Sequence, residues 1–483
     1  MSPMKSQNVS RLVLASGVGA VLAATALLYL PELRGDDGPP RRPGPVERAV
    51  DAARAGAPAA LPDLTALVRD REGWLREHPD DGASWAVLGA AYAERGVRLG
   101  DVRDLPRAER ALNRSLAELP AARGNVDAQL VLGALAAARG DWKAAKEWGE
   151  RARKAAPRRW TVYPPLVEAY GGLGDRPAAW KAMERLEELH GGAVVRGLAA
   201  QTYRDRGWRE DADATALDAA ALAGTEAERA EAYARLGRFA WERGEPAEAL
   251  ERYGAALRSV PDHGPSLAGR ARALAALGRT AEARREWRAA VARQPLPEYV
   301  LESGELAEAL GADGEAQAAY ERLRGGRWAS GSTEVVRGLL DADHGDPAGA
   351  AARLRAAWAG GHRSAAVADA LGWALHRAAG PGGSEEGLRY ARRAVDEGPR
   401  SASYTYHLGE IERALGRTGP ARRHLAEALR IHPSFSPLHA PRARAALAEL
   451  GEPDPDAVPE DALEARSAGG RGAGVKSRAG AGN

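Results

Sequence analysis

An all-α solenoid of helix-turn-helix repeats is the fold this sequence predicts, and three observations lead to it. The dipeptide Leu-Gly or a small-residue equivalent, as at Leu236-Gly237, a Gly seven residues later and an Ala five after that recur every 33 to 35 residues between about Ser84 and Pro433. Each copy places a Gly where a first helix has to end in a left-handed turn, and often a Pro where a second helix has to stop. Neither helix of such a unit has the apolar surface to form a core alone. Stacking on neighbours supplies the core, and stability becomes roughly a sum of repeat and interface contributions.

The clearest copy reads Tyr233, Leu236, Gly237, Ala240, Gly244, Ala249, Tyr253, Ala256, Leu257, Pro261. It closely resembles the tetratricopeptide repeat (TPR), whose pattern is aromatic, Leu-Gly, aromatic, then Ala, aromatic and Pro. The same register is held by Leu132, Gly133, Gly140, Ala145 and Pro157, and by Leu166, Tyr170, Gly174 and Ala179. Gly278, Ala283, Trp287, Ala290 and Pro295 continue it, then Gly311, Ala316 and Tyr320, then Gly338, Gly345 and Ala350. Leu408, Gly409, Gly416, Ala421 and Pro433 form the last full copy. About ten copies, with end caps, fill residues 61–451. The resemblance implies a TPR-like α-solenoid, a right-handed superhelix of about twenty antiparallel-paired helices without sheet.

Three copies are irregular. The first, Trp85, Leu88, Gly89, Tyr92, Gly96, resumes at Ala108 after about seven extra residues around Val97 to Asp104. The ninth, Leu371, Gly372, Trp373, resumes at Ala394 after the Gly-rich stretch Gly380 to Gly383, and both insertions are expected in turns. The fourth, near Tyr203, Gly207 and Ala212, is degenerate, with Ala at most large-residue positions of its second helix.

Length alone would suggest about three domains, but roughly ten units of 34 residues account for most of the 483. The net charge of +2 leaves no strong basic footprint, so nucleic acid is not an expected partner. With no Cys, disulfides, thiolate nucleophiles and Cys-ligated zinc are excluded. The twelve Trp and twelve Tyr fall mostly on repeat positions and read as core.

Residues 1–11 form a short segment carrying Lys5 and Arg11. Leu12 to Leu30 is then uncharged, with only Ser16 and Thr25 polar, and Pro31 ends it. At about 1.5 Å per residue this run just spans a hydrocarbon core of roughly 30 Å. A transmembrane signal anchor is expected at 12–30, with a cleaved signal ending at Ala24-Thr25-Ala26 or a buried helix as the alternatives. Arg34, Arg41, Arg42 and Arg48 outnumber Lys5 and Arg11, which favours a cytoplasmic solenoid by count. A short basic N-terminus before a single span, and the ready translocation of long domains, favour the opposite. The expectation is a single-pass membrane protein with its solenoid extracytoplasmic.

Residues 31–60 read as a Pro/Gly-rich linker, extended from Gly35 to Pro45, with a short helix from Val46 to Ala59. Leu61 to Pro79 places Leu64, Leu67, Val68, Trp74 and Leu75 at helical spacing, as a half repeat that covers one end of the array. Ala440 to Leu450 closes the other end, and residues 452–483 read as a disordered tail.

Signs of catalysis are sparse. His-Glu-x-x-His, Gly-x-Ser-x-Gly and the dinucleotide fingerprint are absent, and Gly470 to Ser477 misses the phosphate-loop pattern at Val475. His424, His432 and His439 lack the three- or four-residue spacing of ligands on a helix. Neither metal nor cofactor is expected, and the chain is not expected to be an enzyme.

The resemblance implies recognition instead. First helices line an inner groove, with positions two, five, nine, twelve and thirteen facing the ligand. By that register the middle repeats present Gln201, Arg204, Arg238, Trp241 and Arg272. This basic strip with one aromatic suits a carboxylate or acidic peptide and a hydrophobic anchor; the alternative is a solvated Arg face. Trp373, His376, Arg377, Tyr406, Glu410 and Arg413 hold the same positions in the last two repeats, either as an anchor site or as packing against the closing helix. The Lys and Asn that clamp a terminal carboxylate in similar chaperone adaptors are absent from position nine. Two function classes stay open. One is a membrane-anchored scaffold or adaptor for a protein or peptide partner, favoured because anchor, spacer and solenoid all serve it. The other is a non-catalytic subunit or regulator of an envelope enzyme complex, or an enzyme with an unrecognised site.

Overall fold

The computed structural model describes residues 43–54, 58–120, 124–328, 330–397 and 400–451. The expected anchor at 12–30, most of the linker before Pro43 and the tail from 452 lie outside the described residues. Among the described residues all regular structure is helical, and no helix is long and apolar enough to cross a membrane.

Two helices precede the repeats, α1 (Pro45–Arg54) and α2 (Leu61–Glu77). The first three repeats are α3 (Gly82–Leu99) with α4 (Asp104–Glu118), α5 (Val126–Ala138) with α6 (Trp142–Ala155), and α7 (Tyr163–Gly172) with α8 (Arg176–Leu189). Next come α9 (Ala193–Asp205) with α10 (Arg209–Leu222), α11 (Glu226–Glu242) with α12 (Pro246–Ser259), and α13 (Gly264–Ala276) with α14 (Thr280–Arg293). Then follow α15 (Pro297–Ala309) with α16 (Asp313–Gly325) and α17 (Thr333–His344) with α18 (Pro347–Ala359). The ninth and tenth are α19 (Ala365–Ala379) with α20 (Glu385–Glu397) and α21 (Ala402–Ala414) with α22 (Thr418–Ile431), and α23 (His439–Leu450) closes the array. The degenerate fourth copy is thus a complete helix pair.

Local chemistry sets these boundaries. Asp141 and Asp175 cap α6 and α8, their carboxylates accepting from the backbone N–H of Ala144 and Ala178. Thr225 and Glu228 form a reciprocal capping box at the start of α11. Gly140, Gly244 and Gly278 end first helices at φ values of 76°, 81° and 74°, the left-handed region a glycine enters without penalty.

Three boundaries differ from expectation. Gly96 lies inside α3, where a Cβ would meet Leu105 Cδ2 at 2.9 Å; the first insertion lengthens the helix to Leu99, and Gly100 makes the left-handed turn. Gly345 caps α17 at φ −154°, outside the left-handed region expected of it. The helix expected from Val46 to Ala59 is described over Pro45–Arg54, and residues 58–60 are not helical.

Tyr253 shows why the small residues recur. A Cβ at Gly237 would lie 2.9 Å from Cδ1 of that ring, and one at Gly269 would lie 2.1 Å from its Cζ. The Tyr253 side chain on α12 therefore fills notches left by α11 and α13. Leu112 and Leu425 fill the notches at Gly89 and Gly409 in the same way.

The array winds until it touches itself. Gly331, entering the eighth repeat, donates its N–H to the Ala138 carbonyl of the second at 2.8 Å. A Cβ on Gly100 of the first repeat would lie 3.3 Å from Pro295, at the entry to the seventh, and one on Gly174 of the third would lie 3.6 Å from the Arg363 carbonyl, entering the ninth. A Cβ on Gly244 of the fifth would lie 2.9 Å from the carbonyl of Ile431, just before α23. The first three contacts join a repeat to the sixth beyond it and the fourth joins the fifth repeat to the end of the tenth, so about six repeats complete a superhelical turn and successive turns touch.

Candidate binding lumen

The closed turn encloses a cavity of about 650 Å³, in the size range of a ligand site. Arg204 on α9, Arg238 and Trp241 on α11 and Arg272 on α13 all line it. The register thus brings these four side chains, drawn from three repeats, to one space.

Their guanidiniums are already engaged, which corrects the expected strip of available arginines. Arg204 pairs with Glu242 and lies 3.3 Å from Asp205. Arg238 donates to Gln201. Arg272 forms a two-bond pair with Glu302, Nη2 to Oε1 at 2.7 Å and Nε to Oε2 at 2.5 Å. Burial works against the Arg272 charge, but Glu302 outweighs it and holds the group above its usual pKa. The strip is neither a solvated face nor a row of free cations: carboxylates of the same and neighbouring first helices pair with Arg204 and Arg272, and the Gln201 amide accepts from Arg238. Trp241 meets the His432 ring edge-on, centroids 4.2 Å apart at 66°, across the contact between turns.

Arg235 also lines the cavity, at position six, which the register assigns away from the groove. Its Nε has no hydrogen-bond partner among the described residues. Burial first, then the nearby Arg238, pushes its pKa down to about 10. The signal for Arg235 is its place one turn before Arg238. A tightly wound superhelix turns a broader face of each first helix inward than an open one.

Helices α15 and α17 make their part of the lumen acidic with Glu298, Glu302, Glu305 and Asp343. Glu298 accepts from the Ser332 hydroxyl through Oε1, while its buried Oε2 has no partner among the described residues. Asp343 accepts from Trp373 Nε1 at 3.2 Å and lies 3.4 Å from His439 Nε2. Burial opposes the Asp343 charge, but His439, with smaller help from His407 and Arg377, draws the carboxyl down to about 2. For Glu305, burial and then repulsion from Glu302, Asp343 and Glu308 push the carboxyl up to about 8, with Arg442 the nearby cation that opposes the shift.

The terminal pair lies elsewhere. Trp373 and Tyr406 are only 3 % and 2 % exposed, so the anchor-site alternative gives way to packing under the closing helix. Trp373 stacks on His407 with centroids 4.4 Å apart, and Tyr406 stacks on His439 of α23 at 5.1 Å. Phe435 covers Tyr406 from the segment leading into α23, centroids 5.6 Å apart. Beside them His407 Nδ1 donates to Asp369 at 2.9 Å, and both of these residues do reach the cavity. No group of three His, Asp or Glu side chains suited to a metal ion occurs among the described residues.

Residues 240–303 match the tetratricopeptide repeat family, a stretch that holds the end of α11, α12 to α14 and half of α15. No curated protein matches the chain. Among solved structures, the human IFIT1 dimer with PPP-AAAA is 14% identical at a TM-score of 0.44, covering 88% of this chain and 96% of that one. The APC/C hetero-tetramer Cut9-Hcn1 is 14% identical at a TM-score of 0.39, with 83% of each chain covered. Pseudomonas aeruginosa PilF is 19% identical at a TM-score of 0.34, covering 41% of this chain and 90% of that one.

Proposed function

We propose that this tetratricopeptide-repeat chain is a non-enzymatic scaffold that seats a short segment of a protein partner in its lumen, tethered to a membrane by residues 12–30 with the solenoid on the extracytoplasmic side. The observation that carries the reading is the convergence of Arg204, Arg238, Trp241 and Arg272 on one cavity of about 650 Å³. Such a volume admits a few residues of extended chain, and side chains fixed by ion pairs and stacking offer it a preorganised wall. Trp241 is the natural anchor, since a large aromatic at the centre of an interface typically contributes about 2 kcal/mol or more. The tether is supported by the uncharged run from Leu12 to Leu30 and the Pro/Gly-rich spacer after it.

Photocrosslinking in living cells tests the binding reading. A crosslinker at Leu339, which lines the cavity, is expected to trap one protein, whereas the same group at Arg252 on a second helix is not. Trp241→Ala is expected to abolish the capture while helicity is kept. Equal capture from both positions, or full capture by Trp241→Ala, would overturn the lumen as the site. The tether is tested separately by fractionation: retention in the membrane through alkaline washing is expected, and a soluble form beginning at Leu27 would refute it.

A further inference from the structure

On α15 the lumen holds carboxylate oxygens for which the described residues supply no donor, within a wider acidic stretch that reaches α17 and α19. Glu298, Glu302, Glu305, Asp343 and Asp369 line it there. Arg272 neutralises Glu302, Trp373 and His439 serve Asp343, and His407 serves Asp369. Glu305 makes no hydrogen bond or ion pair among the described residues, and the buried Oε2 of Glu298 is unpartnered.

A second observation, independent of the carboxylates, points the same way. His407 is 3 % exposed, and its Nδ1–H is committed to Asp369. In the neutral ring Nε2 is then an acceptor, and it is buried without a partner among the described residues. Leaving a buried acceptor unsatisfied forfeits its hydration with nothing in exchange. Glu298 and Glu305 on α15 and His407 on α21 thus each leave an acceptor without a donor among the described residues, and all three line one cavity.

The missing donor has a definable chemistry. The acceptors do not converge as a metal site, so a bare ion is not the occupant. Acceptors spaced along a channel suit several N–H groups carried on a long stem, as in a guanidinium or an ammonium. Tyr299 and Phe435 line the same cavity and offer ring faces on which such a cation is favourably placed.

We propose that the acidic stretch of the lumen binds a basic side chain, Arg or Lys, presented by an extended segment of the protein partner. The inference rests on the lumen reading and reverses the ligand charge that the arginines suggest, because Arg204 and Arg272 pair with the protein's own acids and Arg238 is held by Gln201. The raised pKa of Glu305 agrees with it: burial first, and then crowding by Glu302, Asp343 and Glu308, disfavours the charged carboxylate, and an arriving cation offsets both.

The test is a selection of random heptapeptides displayed on phage against the full chain at pH 8.5, followed by anisotropy titration of the enriched peptides. Arg or Lys is expected at one recurrent position, and replacing it with norleucine should weaken binding about tenfold or more, the loss of one charge-assisted contact. Glu305→Gln and Glu298→Gln, both isosteric, should each erase that preference, while Arg252→Gln on the outer surface should not. Circular dichroism confirms that the variants stay folded. Enriched peptides with no basic preference, or with an acidic one, would overturn the inference and leave the lumen reading standing. If no peptide is enriched that Trp241→Ala fails to bind, both fall.

Discussion

Gln294 Nε2 donates to the carbonyl oxygen of Val97 at 3.2 Å, a hydrogen bond between residues 197 positions apart. Six repeats separate them, and Gln294 is buried at 3 % exposure where the first and seventh repeats meet. Together with the bond from Gly331 to Ala138, it closes one superhelical turn on the next.

The closure is testable by shape. At Gly331 a Cβ would lie 2.4 Å from the Gly140 nitrogen, too close for any side chain without moving backbone. Gly331→Val combined with Gln294→Ala should part the turns, raise the radius of gyration in X-ray scattering and leave helicity unchanged, at about 1–3 kcal/mol for the overpacked site. Unchanged scattering would show that the winding does not depend on these contacts.

Stacking around Tyr253 predicts a graded loss of stability. Gly269→Ala places its Cβ 2.1 Å from the ring and should cost about 1–3 kcal/mol, and Gly237→Leu at least as much, since it drives a larger group into the other face. Urea unfolding measures both. A Gly269→Ala variant as stable as the parent would mean that Tyr253 has another rotamer open to it.

The Arg272–Glu302 pair should show strong coupling. Arg272→Met leaves Glu302 uncompensated beside Glu298 and Glu305, and with side chains 24 % and 31 % exposed the cost should be about 1–3 kcal/mol, below that of a fully buried pair. Adding Glu302→Leu should restore most of the loss. A double-mutant cycle by thermal unfolding gives the coupling, and simple additivity would refute it. For the same reason, charge reversal at Arg272 is expected to lower the melting temperature as well as any binding.

Two buried groups give stability a pH dependence of opposite sign. Glu168 on α7 is pushed from 4.5 to about 8 by burial, and its Oε1 lacks a partner among the described residues. Because the folded pKa is the higher one, its contribution is complete below about pH 4.5 and is lost as pH rises through 8. Glu168→Gln should therefore match the parent at pH 4.5 and melt several degrees higher at pH 9. His432 is pushed down from 6.5 to about 4 by burial, so its contribution is present above 6.5 and is lost as pH falls through 4. His432→Gln should soften that acid limb. Melting curves for both variants that run parallel to the parent from pH 4 to 9 would refute the assignment.

The repeat register is legible because Gly237, Gly269 and Gly409 are needed wherever a large side chain of the next helix enters, and that need repeats with the fold. The inward direction of Arg238 and Trp241 follows from the same register. Neutralisation of the strip is not legible, since Arg272 and Glu302 lie 30 residues apart and meet only when successive first helices stack. Nor is the burial of Trp373 and Tyr406, which depends on where α23 settles. Contacts between turns are the furthest from view: the pitch that joins Val97 to Gln294 accumulates from small rotations in every intervening repeat.

That winding also sets a clock. With successive turns in contact at these points, a segment seated beside Trp241 is expected to leave by sliding along the axis or when the turns part. Association measured at rising partner concentration should then level off at the opening rate of the coil instead of climbing without limit, and dissociation should be slow even where the contacts themselves are modest. Residence time in this protein belongs to the spring as much as to the surface inside it.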